Sequence, residues 1–317
     1  MGPIQQMKSL KNIGKILKAV GRPHPHRRPS QALPQMQLTK DTLQQFSFGF
    51  SWLGHSSLVM NLGGLKLALD PVFHSIAPVQ FVMKRFQVAP IDPEVLEDLD
   101  LVILSHDHYD HLDQLVIQKL LKAKTFFFAP LKVKKHLVSF GVPESRIREF
   151  SWWDSAQVKD VEFTFTPAQH FSGRGLFDRD QTLWGSWVIK ASGRKPIYFS
   201  GDSGYGAHFK EIGEKFGAFA WSFLENGQYN PAWKAVHMLP EESVQAHLDL
   251  KAEVFTPIHW GAYSLSPHAW YEPVERALAL SKQNRVKLVT PMMGEFVSFG
   301  AEYQNTFWWR QAMELER

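Results

Sequence analysis

The 317-residue chain contains no cysteine. This excludes disulfides, a cysteine nucleophile and thiolate ligands, so any metal must be held by nitrogen and oxygen donors. It also fits a reducing compartment, and the cytoplasm is the expected location. No apolar run reaches the length that spans a bilayer. No continuous apolar stretch follows the N-terminal charges, so no secretory signal is visible. Short-period repeats and low-complexity tracts are absent. The net charge of +4 is too small to argue for nucleic acid by itself. A hydrophobic content of 44% and a charged content of 21% remain, as expected of a globular chain.

One absence is local. Between Met1 and Lys40 there is no acidic residue, while Lys8, Lys11, Lys15, Lys18, Arg22, Arg27 and Arg28 are basic. Met7, Leu10, Ile13, Leu17 and Val20 fall on one helical face among these lysines. A short basic amphipathic helix of this kind can lie peripherally on an anionic membrane; a frayed basic terminus is the alternative. Gly21 to Met36 is rich in Pro, His and Arg and reads as a linker or a strap. Residues 1–36 are therefore expected to form an arm, and residues 37–317 the catalytic domain.

What is present is organised around Ser105-His106-Asp107-His108-Tyr109-Asp110-His111-Leu112-Asp113. The apolar run Leu101–Leu104 before it reads as a buried strand. Gln114–Leu121 after it has helical spacing. Three imidazoles and several carboxylates thus crowd a strand-to-helix loop, where open α/β sheets bind ligands. Packing does not explain the crowd, whereas neutral imidazole is the commonest nitrogen donor to metals.

The flanking pattern repeats. Phe46–Trp52 alternates as a half-buried strand does, and Ser57–Met60 and Leu65–Leu69 form a hairpin across Asn61-Leu62-Gly63-Gly64. Strands at Thr125–Phe128 and Arg148–Trp152 flank a helix at Leu131–Ser139. A second run of strands follows at Val161–Thr166, Leu183–Ile189 and Pro196–Ser200. Helices at Ala207–Lys215, Pro240–Leu248 and Trp270–Leu280 then alternate with strands at Trp221–Leu224, Val254–Pro257 and Val286–Leu288. Both halves pass from hairpins to alternating units. The expected fold is α/β, an αββα sandwich of two mixed sheets with helices outside. Ile76–Ile91 reads as an irregular segment, either a flap or a packed loop.

Three further strand ends carry a metal-capable residue: His170 in Thr166-Pro167-Ala168-Gln169-His170, Asp202 in Ser200-Gly201-Asp202-Ser203-Gly204, and His259 in Pro257-Ile258-His259-Trp260-Gly261. His106, His108 and His170 can bind one metal, and Asp110, His111 and His259 a second, with Asp202 bridging. Two divalent ions about 3.5–4 Å apart would share a hydroxide of lowered pKa. Zinc suits this donor set best, with iron or manganese as alternatives. Asp107 is expected to point away from the metals, and Asp113 to cap the following helix.

The order H-x-H-x-D-H, His, Asp, His resembles the metallo-β-lactamase superfamily over roughly residues 46–300. Trp52-Leu53-Gly54-His55-Ser56-Ser57, Asp70-Pro71, Trp152-Trp153, Thr166–His170, Leu183–Trp187 and Tyr229-Asn230-Pro231 are similar to the zinc-dependent N-acyl-phosphatidylethanolamine-hydrolysing phospholipases D and their bacterial relatives. That resemblance implies the metallo-β-lactamase fold, two zinc ions on the residues named above, and hydrolysis of a phosphodiester in an amphipathic phospholipid. It also implies that His237 contacts the phosphate and that Asp70 and His55 support the metals. Asp110, His237 and Asp70 are the candidate catalytic residues. One departure stands out. Glu225, in Leu224-Glu225-Asn226-Gly227-Gln228-Tyr229, lies where that family commonly has a more apolar stretch ending in Gly-Ala-Tyr.

The expected reaction is attack of a metal-bridging hydroxide on phosphorus, with Arg174 or His237 supplying further positive charge. Trp184, Trp187, Trp260 and Phe171 are candidate linings for an amphipathic ligand, which makes nucleic acid the weaker partner. A lactonase or other acyl hydrolase could use the same centre. A lipid- or nucleic-acid-binding protein with structural metals is the alternative outside catalysis.

Overall fold

A computed structural model of the chain describes residues 24–76, 83–175 and 177–316. The amphipathic helix expected at Met7–Val20 lies outside these residues, as does part of Ile76–Ile91.

Two seven-stranded mixed sheets form the fold. The first has the order β14-β1-β2-β3-β4-β5-β6 and the second β13-β12-β11-β10-β9-β8-β7. In the first, β1 (Phe48–Trp52), β2 (Leu58–Leu62) and β3 (Leu65–Leu69) are antiparallel. β4 (Leu101–Ile103), β5 (Phe126–Pro130) and β6 (Ile147–Phe150) then continue from β3 in parallel. The second repeats the scheme. β7 (Ser155–Val158), β8 (Val161–Thr166), β9 (Ser186–Ala191) and β10 (Ile197–Phe199) are antiparallel. β11 (Trp221–Glu225), β12 (Val254–Ile258) and β13 (Lys287–Leu288) are parallel to β10. The α/β sandwich expected from the strand pattern is therefore the observed architecture.

Alternation along the strands builds the layers. Leu58, Met60, Leu67, Leu69, Leu101, Ile103 and Phe128 share one apolar cluster with Phe163, Phe165, Trp187 and Phe223 of the second sheet. The intervening Val59, Ala68, Val102, Phe127 and Ala129 belong to another, with Val116, Ile117 and Leu137 of the covering helices. Because both faces are covered, β1 is buried on both sides rather than half-buried, and Gly49 leaves room for the Phe296 ring. The β2–β3 turn is the two-residue hairpin that Gly63-Gly64 predicts, with φ of +67° and +88°, the positive values a type I′ turn demands.

Some elements differ from the sequence expectation. β9 begins at Ser186, not Leu183, because Leu183 N–H donates to Leu131 O and Gly185 N–H to Ser105 O. These residues cross between the sheets instead of pairing within one. The edge strands β7 and β14 (Phe296–Ser298), and the short helices Lys40–Gln45, Pro93–Glu97 and Trp309–Glu314, add to those expected.

Residues 24–36 lie across the body. His24 N–H donates to Pro267 O, Trp270 N–H to His26 O, and Met36 N–H to Met293 O. Leu33 joins the central apolar cluster. No helix among the described residues is long and apolar enough to cross a membrane.

Candidate metal centre

The site is made of strand ends. His106, His108, Asp110 and His111 follow β4, His170 follows β8, Asp202 follows β10 and His259 follows β12. The apolar strands fix each exit point, and the polar residue after each exit turns toward the same place. All seven predicted ligands come together there.

The donors form two groups that Asp202 borders on both sides. His106, His108, His170 and Asp202 make one; Asp110, His111 and His259 make the other, joined by His55. In the first, His108 Nδ1 is 2.8 Å from His106 Nε2 and 3.2 Å from His170 Nε2. Asp202 Oδ2 lies 4.0 Å from His106 Nε2 and 3.8 Å from His170 Nε2. In the second, Asp110 Oδ2 is 3.7 Å from His111 Nε2 and 3.4 Å from His259 Nε2. Asp202 reaches this group as well, with Oδ1 3.0 Å from His111 Nε2 and Oδ2 3.2 Å from His259 Nε2.

Three of these atoms, His111 Nε2, His259 Nε2 and Asp202 Oδ1, are buried with no hydrogen-bond partner. Buried polar atoms are rarely left so, and here they converge on one another. The donor chemistry suits cations too. Burial holds His106, His108 and His170 below the ordinary imidazole pKa, in the neutral form that offers a lone pair. Burial works against ionising Asp110 and Asp202, but the adjoining histidines together outweigh it, His111 foremost with His259 and, for Asp110, His55, and keep both carboxyls well below their usual range. His106, His108 and His170 as neutral imidazoles, with ionised carboxylates and no sulfur, suit a divalent ion of the zinc, iron or manganese kind. Against the effect of burial, the Asp202 and Asp110 carboxylates raise His111 and His259, whose protons a bound cation would displace.

The outer ring nitrogens are fixed by neighbours, which orients each inner one. His111 Nδ1 is 2.7 Å from Asp70 Oδ2, and His170 Nδ1 donates to Val236 O at 2.9 Å. His259 Nδ1 donates to Gly227 O at 3.2 Å. His106 Nδ1 meets Ser105 Oγ at 2.9 Å, and that hydroxyl donates to Asp70. Ser105 was not singled out from the sequence, where a serine before a histidine carries no signal. Asp70 is fully buried behind His111 and acts through it rather than facing the cleft. His55 Nε2 is 3.0 Å from Asp110 Oδ2.

Asp107 points away, as expected. It accepts from Gly173 N–H and Thr182 Oγ1, both at 2.8 Å. Asp113 caps the helix Gln114–Lys119 through Leu115 N–H and Val116 N–H, and also meets His74 Nδ1 at 2.7 Å. Arg174 differs from its expected role. Its guanidinium donates to Asp107 O at 2.7 Å and Leu112 O at 2.9 Å and covers the Tyr109 ring, so it braces the histidine loop instead of meeting a phosphate. Trp187 and Trp260 also differ: both are core, Trp187 donating to Leu104 O and Trp260 stacked on Trp52. Phe171 does border the cleft, its ring 4.6 Å from His108 and 4.7 Å from His170.

His237 sits at the junction of the two groups. Its Nδ1 is 4.0 Å from Asp202 Oδ2, and its ring is 5.1 Å from His170 and stacked at 5.4 Å on His259. Burial opposes its protonation, but the Glu225 carboxylate bonded to Nδ1 prevails and raises its pKa.

Residues 66–260 match the family model described as a Beta-lactamase superfamily domain. The chain belongs to that superfamily. Its relatives in the superfamily include an uncharacterised protein of Mycobacterium tuberculosis, 40% identical over 266 residues that cover 82% of this chain and 71% of that one. N-acyl-phosphatidylethanolamine-hydrolyzing phospholipase D 1 of Caenorhabditis elegans is 34% identical over 283 residues, covering 83% of this chain and 79% of that one. Among solved structures, the isothiocyanate hydrolase from Delia radicum gut bacteria superposes with a TM-score of 0.63 at 21% identity, covering 80% of this chain and 99% of that one. That likeness is one of fold. The superfamily fold expected from the histidine and aspartate order is thus the fold found.

Proposed function

We propose that the chain is a two-metal phosphodiesterase of phospholipase D type, acting on N-acyl-phosphatidylethanolamine-like lipids. The observation that carries this reading is the pair of donor groups meeting at Asp202, with His111 Nε2, His259 Nε2 and Asp202 Oδ1 buried and unpartnered between them. The activity for which the Caenorhabditis elegans relative is named, a relative whose match covers most of this chain, supplies the substrate class. His106, His108 and His170 would hold one ion and Asp110, His111 and His259 the other, with Asp202 between. Zinc ions bound there supply Lewis acidity that activates water and neutralises phosphate charge.

The chain's own residues do the rest. Asp70 and Ser105 hold the imidazoles of His111 and His106 in one tautomer. Phe171 walls off His108 and His170 and offers an apolar surface beside a polar headgroup. His237, with Nδ1 committed to Glu225, presents Nε2 as a donor to a phosphate oxygen. The test is turnover of N-acyl-phosphatidylethanolamine in mixed micelles and of a simple lactone, before and after chelation. Diester hydrolysis that is lost with zinc and regained on its return is expected. Lactone turnover without diester turnover would reassign the substrate, and activity in verified metal-free protein would end the metal mechanism.

A further inference from the structure

Glu225 is the last residue of β11, fully buried between the exits of β10 and β12. A carboxylate there is costly to desolvate, and apolar side chains often fill such positions at no loss of stability. Every polar atom of Glu225 nevertheless has a partner. Its N–H donates to Ser200 Oγ at 2.9 Å, and its carbonyl accepts from Ser243 Oγ at 2.6 Å. Oε2 accepts from Ser203 N–H at 2.6 Å, and Oε1 accepts from His237 Nδ1. The backbone therefore anchors the residue at both ends, and Ser203 orients the carboxylate. What is left is Oε1, bonded to the His237 imidazole and 3.7 Å from His259 Nδ1, which itself donates to Gly227 O.

Among the described residues no other side chain bonds the His237 imidazole, Asp202 Oδ2 lying 4.0 Å from Nδ1. His237 lies in the irregular segment before the helix Pro240–Asp249, and no strand fixes it. Its ring nonetheless stacks on His259 at an interplanar angle of 12°. We infer that Glu225 is a positioning residue: it fixes the tautomer and rotation of His237, so that Nε2 faces the ligand held between the two donor groups. This rests on the reading of the site as a phosphodiesterase centre and adds to it the residue that aligns its phosphate-facing histidine.

The test is a double-mutant cycle on zinc-loaded protein with E225A, H237A and E225A/H237A, using bis(4-nitrophenyl) phosphate as substrate and inorganic phosphate as inhibitor. E225A is expected to lower kcat/KM about 10- to 100-fold and to weaken phosphate inhibition in parallel, with zinc content unchanged. In the H237A background the same change should cost less than about threefold, since the two residues act as one unit. Nitrogen-15 spectra of the metal-free protein give a readout that needs no turnover. Wild type should show His237 protonated at Nδ1, and E225A should lose that signal. E225Q keeps the volume and one acceptor oxygen, so it should lie between wild type and E225A, and it carries the cycle should E225A not fold.

Equal losses in both backgrounds, an unchanged His237 signal in E225A, or zinc lost from E225A would each overturn the assignment. Failure of the phosphodiesterase reading would appear differently, as a wild type inert toward every diester. The nitrogen-15 comparison would still decide the role of Glu225.

Discussion

At the scale of single residues, the donors that converge on the cleft were legible in the sequence, whereas of their supports Asp70 and His55 came only through the resemblance and Ser105 not at all. Histidines and aspartates at strand ends carry chemistry that packing does not need, so their crowding was itself a signal. Ser105, Arg174 and Trp187 carry no such mark, because serine, arginine and tryptophan are spent in many ways. Asp70 is the support with the clearest consequence. It accepts a hydrogen bond from His111 Nδ1–H and thereby turns Nε2 inward. D70A should weaken zinc binding about 10- to 100-fold, as measured by competition with a chromophoric chelator, while far-UV circular dichroism stays unchanged. Arg174 makes the opposite case. R174A removes two bonds to loop carbonyls and should lower stability to urea by roughly 2–3 kcal/mol. The KM for a phosphodiester should change less than the stability does, since the guanidinium faces the loop and not the cleft.

At the scale of elements, alternation and turn chemistry placed the long central strands and the β2–β3 hairpin. They failed at β7, β14 and the short helices Lys40–Gln45, Pro93–Glu97 and Trp309–Glu314. These are short or polar, and their position comes from neighbours rather than from their own periodicity. The helix Pro240–Asp249 offers a test of such neighbour effects. Its His247 is buried against Ser222 and Phe255, and burial pushes its pKa down to about 4. The unfolded chain takes that proton near the ordinary value of about 6.5. The stability due to neutral His247 is therefore full above that pH and is lost as pH falls to about 4, where the loss totals roughly 3 kcal/mol. Urea unfolding of H247Q should show a shallower fall than wild type across that window. An identical slope would mean the ring is solvated.

At the scale of the whole molecule, the repeat of hairpins followed by alternating units announced two sheets with helices outside. The sequence could not announce how the sheets meet. They meet at the site: His55 N–H donates to Trp260 O, and His259 N–H to His55 O, both at 2.8 Å. His55 belongs to the β1–β2 loop of the first sheet and His259 to the exit of β12 in the second. Since the donor groups draw on both sheets, cations bound only by the folded state should stabilise the whole sandwich. Chelation should lower the Tm by several degrees, and zinc at about 100 times its Kd should restore roughly 2.7 kcal/mol. A Tm indifferent to zinc would show that the groups hold no ion.

The backbone handshake of His55 with His259 has a further consequence. Both residues sit at positive φ, 54° and 68°, where few side chains other than these would be kept. Chemistry and architecture are thereby tied to one seam, while Phe171 borders it without forming it. A new substrate can be accommodated by redrafting that border alone, leaving the reactive hinge between the halves as it is.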